Sequence, residues 1–189
     1  MKTTDTRRVK PFHVVVADPA WMHGDQLPGP GRGASKHYAG GVMPTNEIMR
    51  FPLPPIARDA WLFMWRLHTH HDDALAVARA WGFDRPPVSE FVWVKQTLDG
   101  TRPRIGMGRT LRMAHEVCLV FRRGRPERHD AGVGSVILAP RLEHSRKPEE
   151  FFAAVDRLVG PNVRKLELFA RRARPGWECI GDEVQEAAE

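Results

Sequence analysis

Short apolar blocks recur along the chain between polar intervals rich in glycine and proline, and most of them have the length of strands. Val14-Val15-Val16 is a continuous β-branched run, the pattern of a fully buried strand. Trp61 to Trp65 reads as a second buried strand, Phe91 to Lys95 as a third and Glu116 to Phe121 as a fourth. Ser135 to Ala139 and Leu166 to Ala170 complete a set of six. Helical spacing is confined to three places. Leu75, Ala78 and Trp81 share one face of a helix over Asp72–Trp81, with Gly82 at its C′ position. Pro148 at N1 opens a second helix, Glu149 to Val159, whose first-turn acids suit the positive end of the helix dipole; Gly160 closes it. A short helix over Thr45–Arg50 precedes the breakers Pro52, Pro54 and Pro55.

Between these elements lie two long intervals without periodicity, about 22–44 and 96–113, both rich in glycine and proline. Loops of this length in a compact domain are usually lids or functional surfaces. With no internal repeat and no linker, residues 1–189 read as one domain. Strands alternating with helices or long loops predict a three-layer α/β sandwich.

Composition changes this picture little, but charge does. Hydrophobic content of 42% and charged content of 28% are ordinary for a globular chain. No apolar run approaches the ~20 residues that span a bilayer, and the N-terminus lacks the apolar stretch of a signal peptide, so a cytoplasmic location without membrane contact is expected. The two cysteines, Cys118 and Cys179, form no metal or disulfide pattern. The formal net charge is +6. Lys95 to Arg128 carries nine basic residues against Asp99, Glu116 and Glu127, so the whole excess lies in this one segment. Clustering of that kind predicts a surface for a polyanion.

The candidate chemistry sits at the end of the first strand, in Asp18-Pro19-Ala20-Trp21. Pro19 donates no backbone hydrogen and holds Asp18 extended. A strand ending this way offers a carboxylate, carbonyl acceptors and an indole at the carboxyl edge of an α/β sheet, where ligands bind. Acid and carbonyl can accept the two hydrogens of an exocyclic amine while the indole covers the ring that carries it. His68-Thr69-His70-His71-Asp72-Asp73 has the look of a metallo-hydrolase signature, but its final position is Asp73 rather than histidine, and no metal is expected.

In this order the motifs resemble those of the MT-A70-type adenine methyltransferases, in the branch with bacterial and phage DNA enzymes. The markers are Asp18-Pro19-Ala20-Trp21, Trp61-Leu62-Phe63-Met64-Trp65, Phe91-Val92-Trp93-Val94-Lys95, and His115-Glu116-Val117-Cys118-Leu119. Then follow His144-Ser145-Arg146-Lys147-Pro148 and Leu166-Glu167-Leu168-Phe169-Ala170-Arg171 with Pro175-Gly176-Trp177. The resemblance implies a Rossmann-like fold in permuted order, with S-adenosylmethionine as cofactor and no glycine-rich cofactor turn. It implies catalytic roles for Asp18, Pro19, Ala20 and Trp21. Around the cofactor it implies Asp18, Lys147 against the methionine carboxylate, the strand end Glu167-Leu168-Phe169, Arg171, Asp182 and Glu183. Ala20 replaces the family's second proline, and Asp182-Glu183 replaces a pair that begins with asparagine. A carboxylate there accepts hydrogen bonds but cannot donate as an amide does.

The implied reaction moves a methyl group to the adenine amino group. Asp18 and the Pro19 carbonyl would polarise the amine, and Trp21 would stack on the base, worth about 1–3 kcal/mol. Lys36 and Tyr38 on the first long loop and Arg102, Arg104, Arg109 and Arg112 on the second would meet the nucleic acid. A base in a duplex leaves the stack at a cost of a few kcal/mol, which phosphate contacts would offset. DNA is favoured over RNA as the acceptor, and a homodimer is left open. The competing function is a silent scaffold that binds nucleic acid without catalysis; retention of both the acid and the indole of the tetrapeptide speaks against it.

Overall fold

The computed structural model describes residues 10–22, 41–106, 110–142, 146–182 and 184. Seven strands form one sheet: β1 (Phe12–Ala17), β2 (Ile56–Arg66), β3 (Ser89–Gln96), β4 (His115–Arg123), β5 (Val136–Pro140), β6 (Lys165–Leu168) and β7 (Glu178–Ile180), in the spatial order β5-β3-β4-β2-β1-β6-β7. Helices α1 (Thr45–Met49), α2 (His71–Ala80) and α3 (Glu149–Val159) cover its faces, with a 3-10 turn over His68–His70 before α2. The expected α/β sandwich is present.

Period-two alternation divides the core. Val15, Ala17, Leu62, Met64, Leu119 and Phe121 turn to the α1–α2 side; Val14, Val16, Phe63, Trp65, Phe91, Trp93 and Cys118 turn to α3, where Phe151, Phe152 and Val155 meet them. β1 lies between β2 and β6, parallel to both, which is why Val14 to Val16 are buried on both faces. Every neighbouring pair is parallel except those of β4, which runs antiparallel to both β2 and β3. The carboxyl ends of the other strands therefore gather at one edge, together with the amino end of β4.

The structure differs from the pattern reading in four places. Pro148 is extended (φ −68°, ψ 145°) and caps α3 rather than occupying N1. The sixth strand ends at Leu168, because Phe169 takes a left-handed conformation (φ 60°). A seventh strand, Glu178–Ile180, emerges from the tail; with only Cys179 partly buried between two exposed residues, it carries no apolar pattern to find. The basic segment does not form one surface. β4 has nine residues and rises ~3.4 Å per residue, so it separates Arg102, Arg104 and Arg112 at one edge of the sheet from Arg122, Arg125 and Arg128 at the other.

β7 is held close by Gly181. A Cβ there would lie 2.0 Å from the Ala170 carbonyl oxygen, and Ala170 N–H donates to the Ile180 carbonyl at 3.0 Å. Gly181→Ala should detach this turn from β6, with a loss of about 1–3 kcal/mol and a lower thermal midpoint by circular dichroism.

Candidate active site at the carboxyl edge of the sheet

The site follows from the alternation that builds the core. On the α3 face, three apolar stripes end in a charge at the same edge: Val14-Val16-Asp18 along β1, Phe91-Trp93-Lys95 along β3 and Val120-Cys118-Glu116 back along β4. Lys147, from the turn that enters α3, drops between them. Its ammonium donates to Asp18 Oδ2 at 2.5 Å and lies 3.4 Å from Glu116 Oε2. Lys95 reaches the other oxygen of Glu116 at 2.6 Å. The result is a chain of alternating charges, Asp18–Lys147–Glu116–Lys95, supplied by the ends of β1, β4 and β3 and by the start of α3, and laid across four neighbouring strands.

Aromatic rings form its floor. Lys147 Nζ stands 5.2 Å from the centre of the Trp65 ring and Lys95 Nζ 5.5 Å from that of Trp93. Trp65 is buried, and its indole N–H has no hydrogen-bond partner among the described residues. An orphaned donor of this kind is costly and calls for an acceptor from outside.

Burial raises the Asp18 carboxyl above the ordinary range, against the pull of the Lys147 ammonium; Glu116 adds repulsion, and Arg171 works the other way. Glu116 shows the opposite outcome. Burial raises it too, but Lys147 and Lys95 prevail and hold it at about 2.

The remaining predicted residues divide clearly. Glu167 projects from β6 onto the Asp18 face, where burial raises its carboxyl while Arg174 Nε, 3.2 Å away, lowers it. Leu168 is wholly buried on the other face. Phe169 turns out of the strand in its left-handed conformation, with its ring 4.8 Å from that of Phe51. Arg171 is partly buried beyond it, and exposed Asp182 follows the Gly181 contact back towards the same strand end. Arg102, Arg104 and Arg112 are exposed on the β3–β4 loop; Arg104 is anchored through its backbone to the Lys95 carbonyl, and Arg112 through Nε to that of Gly106. Lys36, Tyr38, Arg109 and Glu183 lie outside the described residues.

Two members of the tetrapeptide differ from expectation. Trp21 is 4% exposed, its indole N–H donates to the Trp65 carbonyl at 3.1 Å, and its ring is tilted against His70. The indole ties the end of β1 to the end of β2 and presents no open face for a base to stack on. The Pro19 carbonyl is not bare, since it accepts Trp21 N–H at 2.9 Å, and it keeps one lone pair. Ala20 is buried, and its carbonyl accepts Met43 N–H at 2.7 Å. Asp18 stays accessible, with 27% of its side chain exposed. The His68–Asp73 signature is likewise absorbed into structure: both ring nitrogens of His70 are engaged, by Thr69 Oγ1 and by the Met22 carbonyl, each at 2.9 Å. Sequence reasoning passed over Glu116 and Lys95 as site residues. Extending the period-two stripe one step past Cys118 and past Trp93 finds them both.

An open α/β sheet with an acid after its first strand and a mixed-sign cluster at its carboxyl edge has the architecture of the S-adenosylmethionine-dependent methyltransferases. Residues 12–183 match the MT-A70 family model, and the chain belongs to that family. It is 34% identical over 176 residues to an N(6)-adenosine-methyltransferase MT-A70-like protein of Arabidopsis thaliana, covering 92% of this chain and 24% of that protein. Against the human N(6)-adenosine-methyltransferase catalytic subunit METTL3, identity is 32% over 177 residues, covering 92% and 28%. A Type II methyltransferase, M.MunI of Mycoplasma sp, is 28% identical over 192 residues, covering 93% and 78%. The chain thus spans about a quarter of the length of the plant and human relatives.

Glu116 carries the stability of the cluster. Its carboxyl is held below its ordinary 4.5, at about 2, so its contribution is complete above about pH 4.5 and is lost as pH falls towards 2. Glu116→Gln should cost roughly 2 kcal/mol at neutral pH, allowing for solvent screening of its partly exposed side chain. Thermal melts should show the difference between wild type and variant shrinking as pH falls through that window.

Proposed function

We propose that this chain transfers a methyl group from S-adenosylmethionine to the exocyclic amino group of adenine, with DNA as the acceptor. The observation that carries the reading is the accessible Asp18 carboxylate paired to Lys147 at the carboxyl edge of a sheet of this family. The chemistry of the cluster fits the cofactor: an amino-acid zwitterion needs a cation for its carboxylate and an anion for its ammonium, and Lys147 stands between two acids. The unpaired Trp65 N–H adds a donor beside them. Glu167, Phe169, Arg171 and Asp182 would hold the remainder along the end of β6. The bound cofactor supplies an activated sulfonium methyl.

The protein's task is orientation and polarisation. Asp18 and the free lone pair of the Pro19 carbonyl accept hydrogen bonds from the amine, drawing electron density onto its nitrogen and aligning it for in-line attack; alignment alone is worth roughly 7–11 kcal/mol. Positive charge developing on that nitrogen is met by the Asp18 carboxylate. The raised proton affinity of Asp18 suits it to receive the amine proton after transfer. Trp21 contributes by fixing the strand end that carries Asp18.

DNA is favoured by the alignment that covers most of the Type II methyltransferase. RNA is the second reading, favoured by the word adenosine in the names of the plant and human relatives. Tritium from labelled S-adenosylmethionine should appear in N6-methyl-2′-deoxyadenosine after incubation with DNA and digestion. Label found in RNA alone would move the reading to the second acceptor, and label in neither would overturn it. Asp18→Ala should lower the transfer rate at least about a hundredfold while circular dichroism still shows the α/β fold; full turnover by the variant would remove the role assigned to Asp18.

A further inference from the structure

The far end of β4 assembles a second basic feature, at the opposite edge of the sheet from Asp18. Arg122 and Arg125 meet Arg58 of β2 and Arg85 of the α2–β3 connection around an open cleft of about 800 Å³. All four side chains are exposed, and none of their guanidinium groups has an ion pair or hydrogen bond to a described residue. Arg123 between them shows what a structural arginine does in this fold. It donates to the Ile56 and Ala57 carbonyls, at 2.7 Å each from Nη2, and lies over the Phe83 ring at 5.7 Å.

The cleft is built rather than incidental. Asp59, the one acid among the described residues of its lining, accepts the Arg125 backbone N–H at 2.6 Å. Gly124 makes that approach possible: its φ is +63°, and a Cβ there would lie 2.1 Å from the same carboxylate oxygen. The turn so clamped holds Arg125 on the same cleft as Arg122. Four unpaired guanidinium groups around one concavity repel one another, and the ligand that relieves this is one with repeated phosphates, which their planar forks can grip two oxygens at a time.

We propose that this cleft is a second nucleic-acid contact, holding the sugar-phosphate backbone away from the base being methylated. It rests on the reading of nucleic acid as the substrate. The nine residues of β4 put the two edges roughly 30 Å apart, about nine base-pair rises of a duplex. One sufficiently long strand or duplex can therefore engage Arg102, Arg104 and Arg112 at one end and the cleft at the other. Because the cleft arginines touch no base edge of the target, they add affinity and processive contact without specifying sequence.

The test is the salt dependence of binding to a fluorescein-labelled duplex of about 30 base pairs, read by anisotropy between about 50 and 200 mM salt. Each phosphate contact contributes about 0.9 to the slope of log affinity against log salt. The triple variant Arg85→Gln/Arg122→Gln/Arg125→Gln should lose about 2 to 3 from that slope; its substitutions are exposed, and an unchanged thermal midpoint confirms the fold. An unchanged slope overturns the cleft as a contact, as does a wild type that binds no duplex. Methyl transfer measured on the same preparations separates the two readings. An active enzyme with an unchanged slope in the triple variant sinks the cleft alone, whereas a reduced slope in a protein that methylates neither DNA nor RNA upholds the cleft and sinks the proposed activity.

Discussion

A lysine held between two acids governs the arrangement of this protein. Lys147 reaches back from the start of α3 to Asp18 and Glu116 and rests on the Trp65 ring. Each of these three residues belongs to a different strand or strand end, so the ammonium fixes the relative positions of β1, β2, β4 and the α3 layer at once. Removing one partner of a buried pair leaves the other uncompensated, at about 3–5 kcal/mol in well-buried cases. Here Lys95 supplies Glu116 with a second cation, so Glu116 keeps a partner even when Lys147 turns away from it.

That redundancy links stability to chemistry. Asp18 and Glu116 sit within reach of the same ammonium, yet burial raises the proton affinity of one and two cations depress that of the other. Two carboxylates with opposed tendencies in one cluster is an arrangement common to acid–base sites. Glu116 keeps its charge throughout the physiological range and anchors Lys147. Asp18 is the member of the pair whose carboxyl burial pushes up.

Most of the fold was legible because it rests on local pattern. Val14 to Val16, Trp61 to Trp65 and Glu149 to Val159 declare their elements through periodicity and capping alone. β7 was not, since three residues with two exposed cannot show a period. The part of the site on β1 was legible in Asp18 and its proline. Trp21 misled because adjacency in sequence puts the indole beside the acid, while its position is decided by an acceptor 44 residues away, the Trp65 carbonyl. In the sequence Glu116 and Lys95 stand out only as charges of the basic segment and as members of family markers, because a polar residue at the end of an apolar block looks like a boundary. Only the pairing of β3 with β4, Val94 opposite His115 and Trp93 opposite Glu116, reveals that the two ends coincide.

The reversal of β4 has a mechanical corollary. The loop that joins β3 to β4 leaves and re-enters the sheet at the same edge, and it is pinned near its base by hydrogen bonds from Arg104 to Lys95 and from Thr97 to Arg102. Among the described residues of its outer part, none belongs to the core. Such a loop can lengthen, shorten or change its composition while the strands beneath it keep their register, so this rim of the protein can drift in evolution without the sheet being rebuilt.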